Sequence, residues 1–518
     1  MPLSTGASTS VATRRAPSSF IRNVSSSWAA LTINIVFSFF LAPFIVRSLG
    51  TLYYGVWTLL MEFTGYLWLF DFGVRESVVK YVAQHHETDE REQIVDVVHT
   101  AVMLYAGIGA IALLASAVMA VALPYVFNIP PEAIRTARMT LLIAGVTVAQ
   151  GFVFNVYVGV LMGLKKFYIV TRFGIVFTVL RAALIFALLR AGYGIVALGL
   201  VHLSINVAMN LLVFRTALRH LPYLKPRLSS PGGTQVRRML GYGKYVLINN
   251  IGQKLVFASD ALVIGIFLPV STLTYYAVAG SLVGYLKSFM ATMASVLNPM
   301  SSALDARRDA AGLSRLFLTA SKGAVIVGLP VCIGLITLGE RFISIWMGPT
   351  FGPVSGPIVA VLAAAHAIGL PYYTITGVLY GLGKHRITAT ARVFEAAANI
   401  TLSVILVKRY GLIGVAIGTL IPHAIVALFI LPPTVRRLLS IPMKDYYVST
   451  YGRPLIASLP FWGACVFIEH VLMPVRLLTF GGAVMAGLTV YAIPSWFLAL
   501  SADERSWALQ QARGGARK

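Results

Sequence analysis

Fourteen apolar stretches run through the chain, most of them near the ~20 residues that cross a bilayer as a helix. They fall roughly at 26–46, 52–72, 97–122, 133–160, 168–189, 192–215, 240–268, 270–300, 317–338, 354–380, 386–407, 411–432, 453–475 and 477–499. Of the 518 residues, 58% are hydrophobic and 12% charged. A soluble domain carries roughly 25% charge, and a soluble fold of this size could not hide so much apolar surface. Mean hydropathy is +0.80. The pattern predicts an all-α polytopic membrane protein of 14 transmembrane helices. Cys332 and Cys465 lie alone in apolar runs and read as small core residues.

The basic residues set the orientation. There are 42 Lys and Arg against 18 Asp and Glu, a net +24. With the N-terminus in the cytoplasm, 29 of the 42 fall on inner loops, helix ends and tails, and 8 fall outside. That asymmetry predicts both termini inside. It also removes the need for a nucleic-acid partner, because no loop carries a basic–aromatic module. Five cations remain within the spans: Arg172, Arg181, Lys254, Lys287 and Arg392.

The chain repeats itself at offsets of 217 to 222 residues. Thr51-Leu52-Tyr53-Tyr54-Gly55-Val56 matches Thr272-Leu273-Thr274-Tyr275-Tyr276-Ala277-Val278. Gly159-Val160-Leu161-Met162-Gly163-Leu164 matches Gly377-Val378-Leu379-Tyr380-Gly381-Leu382, and Tyr193-Gly194-Ile195 matches Tyr410-Gly411-Leu412. A unit of six spans is even, so both halves enter from the same side, an arrangement found in secondary transporters. The expected organisation is a polar cytoplasmic leader (1–25) and an N-terminal six-helix lobe (26–215). A basic linker (216–239) joins it to a C-terminal six-helix lobe (240–432). Two additional helices (433–499) and a cytoplasmic tail (500–518) follow.

An ionisable group inside a membrane costs several kcal/mol and by default marks a pathway or a site. The seventh span is the most polar. Asn249, Gln253 and Asp260 share one helix face, with Asn250 and Lys254 one position round. These are expected to line a hydrated cavity with Lys254 as an anion contact; the alternative is that Lys254 snorkels to the inner surface while Asp260 pairs with a cation of another span. Lys287 and Arg181 lie mid-span and are expected to face the cavity. Arg172 and Arg392 stand early in spans 5 and 11, as substrate contacts or structural bridges. Glu395 is three residues after Arg392, so an intrahelical pair is the plain alternative to a role in ion coupling. Glu62 and Asp71 are further candidates for carrying a coupling proton, Asp71 also for a cytoplasmic gate with Arg75 and Glu76. His202, Asn206 and Asn210, spaced by four, suggest interhelical hydrogen bonds. His366 reads as a satisfied core histidine. No catalytic, metal or nucleotide motif is present, so neither an enzyme nor a cofactor is expected.

Several motifs resemble the polysaccharide exporter, or Wzx-type oligosaccharide flippase, family. They are Leu41-Ala42-Pro43-Phe44-Ile45-Val46-Arg47-Ser48-Leu49-Gly50, Tyr54-Gly55-Val56-Trp57, Asp71-Phe72-Gly73-Val74, Asp260-Ala261-Leu262-Val263-Ile264-Gly265, Arg341-Phe342-Ile343-Ser344-Ile345-Trp346-Met347-Gly348 and Tyr410-Gly411-Leu412-Ile413-Gly414-Val415-Ala416. The resemblance implies two six-helix lobes in a bacterial inner membrane, with a polyprenyl-diphosphate-linked oligosaccharide moved from inner to outer leaflet by alternating access. It also implies a coupling ion, H+ or Na+, and polysaccharide polymerases or glycosyltransferases as partners. The five membrane cations suit an anionic headgroup. Competing readings are a lipid II-type flippase, an ion-coupled multidrug exporter, a major-facilitator transporter and a non-transporting scaffold of polysaccharide assembly.

Overall fold

A computed structural model of the protein describes residues 18–224, 236–239, 241, 259–502 and 504–506, with side chains from residue 32 onward. Among the described residues the fold is helical without strands. The first half comprises α1 (Ser18–Leu67), α2 (Val74–Glu87), α3 (Arg91–Val126), α4 (Pro131–Gly163), α5 (Phe167–Arg190) and α6 (Ile195–His220). The second begins with a helix over 259–267 (α7). It continues through α8 (Leu273–Ser295), α9 (Leu297–Ala306), α10 (Ala310–Met347), α11 (Gly352–Ile368), α12 (Leu370–Gly381) and α13 (His385–Ile425). Then come α14 (Leu431–Leu439), α15 (Met443–Tyr447), α16 (Arg453–Phe467) and α17 (Leu477–Pro494).

Nine of the described helices are long and apolar enough to cross a membrane, ten if α11 and α12, bent by 45°, make one broken span. Two of them are not single rods. α1 breaks at Gly50 (φ 72°) and α13 at Gly411 (φ 58°). Across Gly411 the chain doubles back. A Cβ on Gly414 would meet Leu406 O at 2.3 Å, one on Gly418 would meet Ser403 Oγ at 2.4 Å, and Asn399 Nδ2 donates to Thr419 Oγ1 at 2.8 Å. The sequence's count of fourteen is reached only by cutting α1 and α13 at these glycines and adding α8 and the seventh span, whose inner part lies outside the described residues.

The repeat is visible in the backbone. Positive φ recurs at Asp89 and Arg308, at Lys165 and Gly383, and at Gly192 and Gly411, each pair 218 or 219 residues apart. These are the turns between helices, where a left-handed residue lets the chain reverse. The paired Gly-x-x-x-Gly motifs do equivalent work. A Cβ on Gly159 or Gly163 of α4 would strike α2 at 3.1 Å or 3.0 Å. One on Gly377 or Gly381 of α12 would approach Ala294 O at 2.7 Å or Asn298 O at 2.5 Å, where α8 runs into α9. Small residues permit the close helix approach that drives packing where lipid supplies no hydrophobic contrast.

The halves lock together at one end. Thr274 Oγ1 donates to Thr51 O at 2.6 Å, and Asn128 N to Gly265 O at 2.8 Å. Val270 N donates to Asn128 O at 3.1 Å, and Trp346 Nε1 to Phe39 O at 3.0 Å. Gly55 lies so close to Val270 O that a Cβ would come to 2.1 Å. Apart from Phe39, which lies inside α1, these groups sit at the helix ends away from α2 and α9, the side where most of the described basic residues lie. The last two long helices pack on α10 through Leu338, Phe461, Cys465, Ile468 and Tyr491, and Arg341 Nε pairs with Glu469 at 2.9 Å. Cys332 and Cys465 are buried and free, as expected.

Candidate functional site

Toward the basic face the halves separate around a cavity of about 830 Å3. Trp68, Asp71, Arg75 and Asn155 come from the first half; Lys287, Asn298, Tyr372, Tyr373, Tyr380, Arg392, Glu395 and His423 come from the second. A smaller cavity of about 440 Å3 lies toward the locked end, lined among others by Tyr54, Glu62, Asp260, Tyr276, Lys287, His366 and Thr419. Lys287 belongs to both walls, and it interacts electrostatically with Asp260, Glu395 and Glu62. One ammonium therefore stands at the junction of the two chambers.

Each chamber has a structured polar wall. Asp260, 7% exposed, accepts from Tyr276 OH at 2.6 Å and from Thr419 Oγ1 at 3.0 Å; Asn399 Nδ2 lies 3.5 Å from its other oxygen. Ser259 Oγ donates to Asn399 Oδ1 at 2.9 Å. A buried carboxylate is tolerated because these donors replace water. Glu395, 3% exposed, lies 2.6 Å from His423 Nδ1 and 3.4 Å from Tyr372 OH. The Arg392 guanidinium lies over the Tyr372 ring at 5.7 Å, with its Nε buried and unpartnered. At the basic end, Asp71 accepts a hydrogen bond from Tyr105 OH, whose oxygen accepts from Arg75 N at 2.9 Å. Arg75 pairs with Glu76 at 2.6 Å.

The tertiary fold brings together many of the residues that the sequence singled out. Lys287, Arg392, Glu395, Asp71 and Arg75 line the larger cavity, with Glu76 bonded beside them; Glu62, Asp260 and Lys287 line the smaller. Arg172 is exposed on α5, outside both linings. Arg181 is half-buried within the first half, also outside both, and acts electrostatically on His202. Asn249, Asn250, Gln253 and Lys254 lie outside the described residues. Two readings change. Glu395 forms its close pair with His423, not with Arg392, because the doubled-back half of α13 presents an imidazole to it. His366 is a cavity-wall histidine whose Nδ1 has no hydrogen-bond partner. Of the polar row on α6, Asn210 bonds across to Gln150 at 2.9 Å, while Asn206 bonds its own helix at His202 O. Asn399, Thr419, His423, Tyr276 and Tyr372 were not singled out from the sequence. A signal was there: Glu395, Asn399 and Ser403 recur every fourth residue, as do Thr419 and His423.

Two helical halves with a polar cavity between them, hydrogen-bonded to each other at one end, define a polytopic membrane protein built like a transporter. The fold is similar to that of a lipid II flippase, MurJ, in an inward closed conformation, with TM-score 0.71 and 16% identity over 92% of this chain and 98% of that one. A family described as polysaccharide biosynthesis protein matches residues 20–305, more than half of the chain, and the chain belongs to that family. Among curated relatives, the uncharacterized membrane protein EpsK of Bacillus subtilis is 23% identical over 95% of this chain and 98% of its own. A Shigella flexneri protein, whose name assigns it provisionally to O-antigen transport, is 23% identical over 72% of this chain and 88% of its own.

Proposed function

We propose that the protein carries polyprenyl-diphosphate-linked oligosaccharide from the leaflet at its basic face to the opposite leaflet, by alternating access. The supporting observation is the larger cavity. It combines three cations, Lys287, Arg392 and Arg75, with a row of tyrosines, between halves whose described hydrogen bonds through Thr274, Gly265, Val270 and Trp346 lie away from α2 and α9. A diphosphate–sugar headgroup needs both features: cations for the phosphates, and aromatic faces and hydroxyls for the sugars. The polyprenyl tail stays in lipid while the headgroup crosses in the hydrated chamber. The positive-inside asymmetry supports a cytoplasmic basic face, so export runs outward across a bacterial inner membrane. Moving a lipid between leaflets breaks no covalent bond, so the role is that of a transporter, not an enzyme. Polymerase and glycosyltransferase partners are part of the same reading.

The test is flipping in liposomes that hold the purified full-length protein and fluorescent polyprenyl-diphosphate oligosaccharide. Protection of the label from an external quencher should become protein-dependent. Lipid II is offered in parallel, and its preference over the oligosaccharide would move the assignment to peptidoglycan precursors. Intact protein that flips neither substrate would turn the reading toward a scaffold.

A further inference from the structure

Glu395, His423 and His366 make a buried chain past the bend between α11 and α12, and it joins the two cavities. His423 Nδ1 lies 2.6 Å from Glu395 Oε1, and the His423 and His366 ring centroids are 5.2 Å apart. Both imidazoles are 4% exposed. Each keeps one buried nitrogen, Nε2 of His423 and Nδ1 of His366, with no hydrogen-bond partner in the protein. A buried polar atom left unsatisfied is costly, so two in adjoining rings are expensive to keep. The backbone at the bend is shaped around one of them: a Cβ on Gly369 would fall 2.0 Å from His423 Nε2. His366 lines the smaller cavity; His423 and Glu395 line the larger. The titratable groups on the cavity walls that face the chain include Lys287 and Tyr276 of α8, Tyr372 and Tyr373 of α12, Arg392 of α13 and, across the smaller cavity, Asp260 of α7 and Tyr54 and Glu62 of α1. Cys332 of α10 is buried in the core beside Leu370, next to the bend.

We propose that Glu395, His423 and His366 form a proton relay between the two chambers, coupling export to inward proton movement; the coupling, though not the relay, rests on the proposed function. One proton from the locked side binds the His366 imidazole, which lines the smaller cavity. The imidazolium passes one proton to His423, whose positive charge is stabilised by the Glu395 carboxylate. That pair then releases one proton to water in the larger cavity. One proton enters and one leaves, and no charge accumulates. Histidine suits the task because each ring nitrogen can either donate or accept a proton, so one ring can take a proton at one nitrogen and release one from the other. The break between α11 and α12 puts the relay on an element that can move when the halves rock.

The experiment uses full-length protein in vesicles loaded with the pH dye pyranine and fluorescent polyprenyl-diphosphate oligosaccharide. A one-unit pH gradient across a one-proton exchanger supports about a tenfold asymmetry of substrate between leaflets. Wild type should approach that asymmetry and move protons as it flips. His366→Gln should bring the ratio of gradient-driven to gradient-free flipping to about one, and Glu395→Gln should lower it. A wild-type rate indifferent to the pH gradient would overturn the relay. So would a His366→Gln protein whose driven and gradient-free rates fall together, as a merely structural role predicts. Driving by a Na+ gradient, lost in Asp260→Asn and kept in His366→Gln, would overturn it in favour of the Asp260 cluster. His366-dependent proton flux without any flipping would sustain the relay and sink the substrate reading.

Discussion

Lys287 stands where the two cavities meet, and its environment sets what its loss should do. An ammonium in a polar chamber between carboxylates can hand its charge to a bound phosphate without leaving the wall. Lys287→Ala should slow flipping about tenfold to a hundredfold, the worth of a charged hydrogen bond of about 1.5–3 kcal/mol, while Lys287→Arg retains part of the rate. Equal rates for Ala and wild type in the liposome assay would remove Lys287 from the headgroup site. A second residue-scale effect lies in the tail. Glu504 is partly buried, which raises its carboxyl pKa. The hydrogen bonds from Lys322 at 2.6 Å and from Ser501 N at 2.8 Å outweigh that and hold it below the usual carboxylate range. A lowered folded-state pKa gives stability that is present above the unfolded carboxyl value, about 4.3, and is lost as pH falls through the folded one. Glu504→Gln should therefore lower the melting temperature in detergent slightly at pH 7, and the difference should vanish in strong acid. The contribution is well under the full worth of a buried pair, because solvent reaches Glu504.

At the scale of elements, glycines decide where helices stop, reverse or touch. Gly411 (φ 58°, ψ −135°) turns α13 back on itself, and an L side chain there is strained by about 1–3 kcal/mol. Gly411→Ala should lower thermal stability by that order and, by loosening the hairpin, weaken the Asn399–Thr419 contact that braces Asp260. A melting curve unchanged from wild type would mean the turn relaxes freely. The sequence shows Tyr410-Gly411-Leu412 as one half of a repeat with Tyr193-Gly194-Ile195 and as part of a motif that resembles the family. It does not show that Gly411 reverses the chain, since an isolated glycine in an apolar run reads equally as a packing contact. The polar stripe Glu395–Asn399–Ser403 was legible as a helix face. Its partners on the returning half were not, because they depend on the register of the hairpin.

At the scale of the whole molecule, the two halves hold one side closed and the other parted. At Gly55 the lock brings one helix against a backbone carbonyl of the other half, so a single added methyl can open it. Gly55→Ala would drive a Cβ to 2.1 Å from Val270 O, and the two halves must shift apart there. The expected result is more labelling, by a membrane-impermeant thiol reagent added on the locked side, of a cysteine placed at Ala277 in the smaller cavity. Native Cys332 and Cys465 are buried and should give little background. Labelling no greater than in the Gly55 parent would mean that this contact does not hold the closed state.

The sequence by itself determined the class of fold, because apolar runs of bilayer length and a helical period leave few alternatives. It also determined the charge asymmetry and the repeat, which are properties of order along the chain. Among single residues it selected Lys287, Arg392, Asp260, Glu62 and Glu395, since an ionisable group in an apolar run is costly wherever it points. Only the tertiary structure decided which of these share a chamber. Arg172 and Arg392 occupy similar positions in their spans, yet one is exposed on α5 and the other lines the larger cavity. The pairing of Glu395 with His423, 28 residues on, was likewise decided there. Whether a buried charge meets a partner, a cavity or lipid depends on helix rotation and on how the two halves dock. Those are set by close packing between segments far apart in sequence, and no local pattern records them.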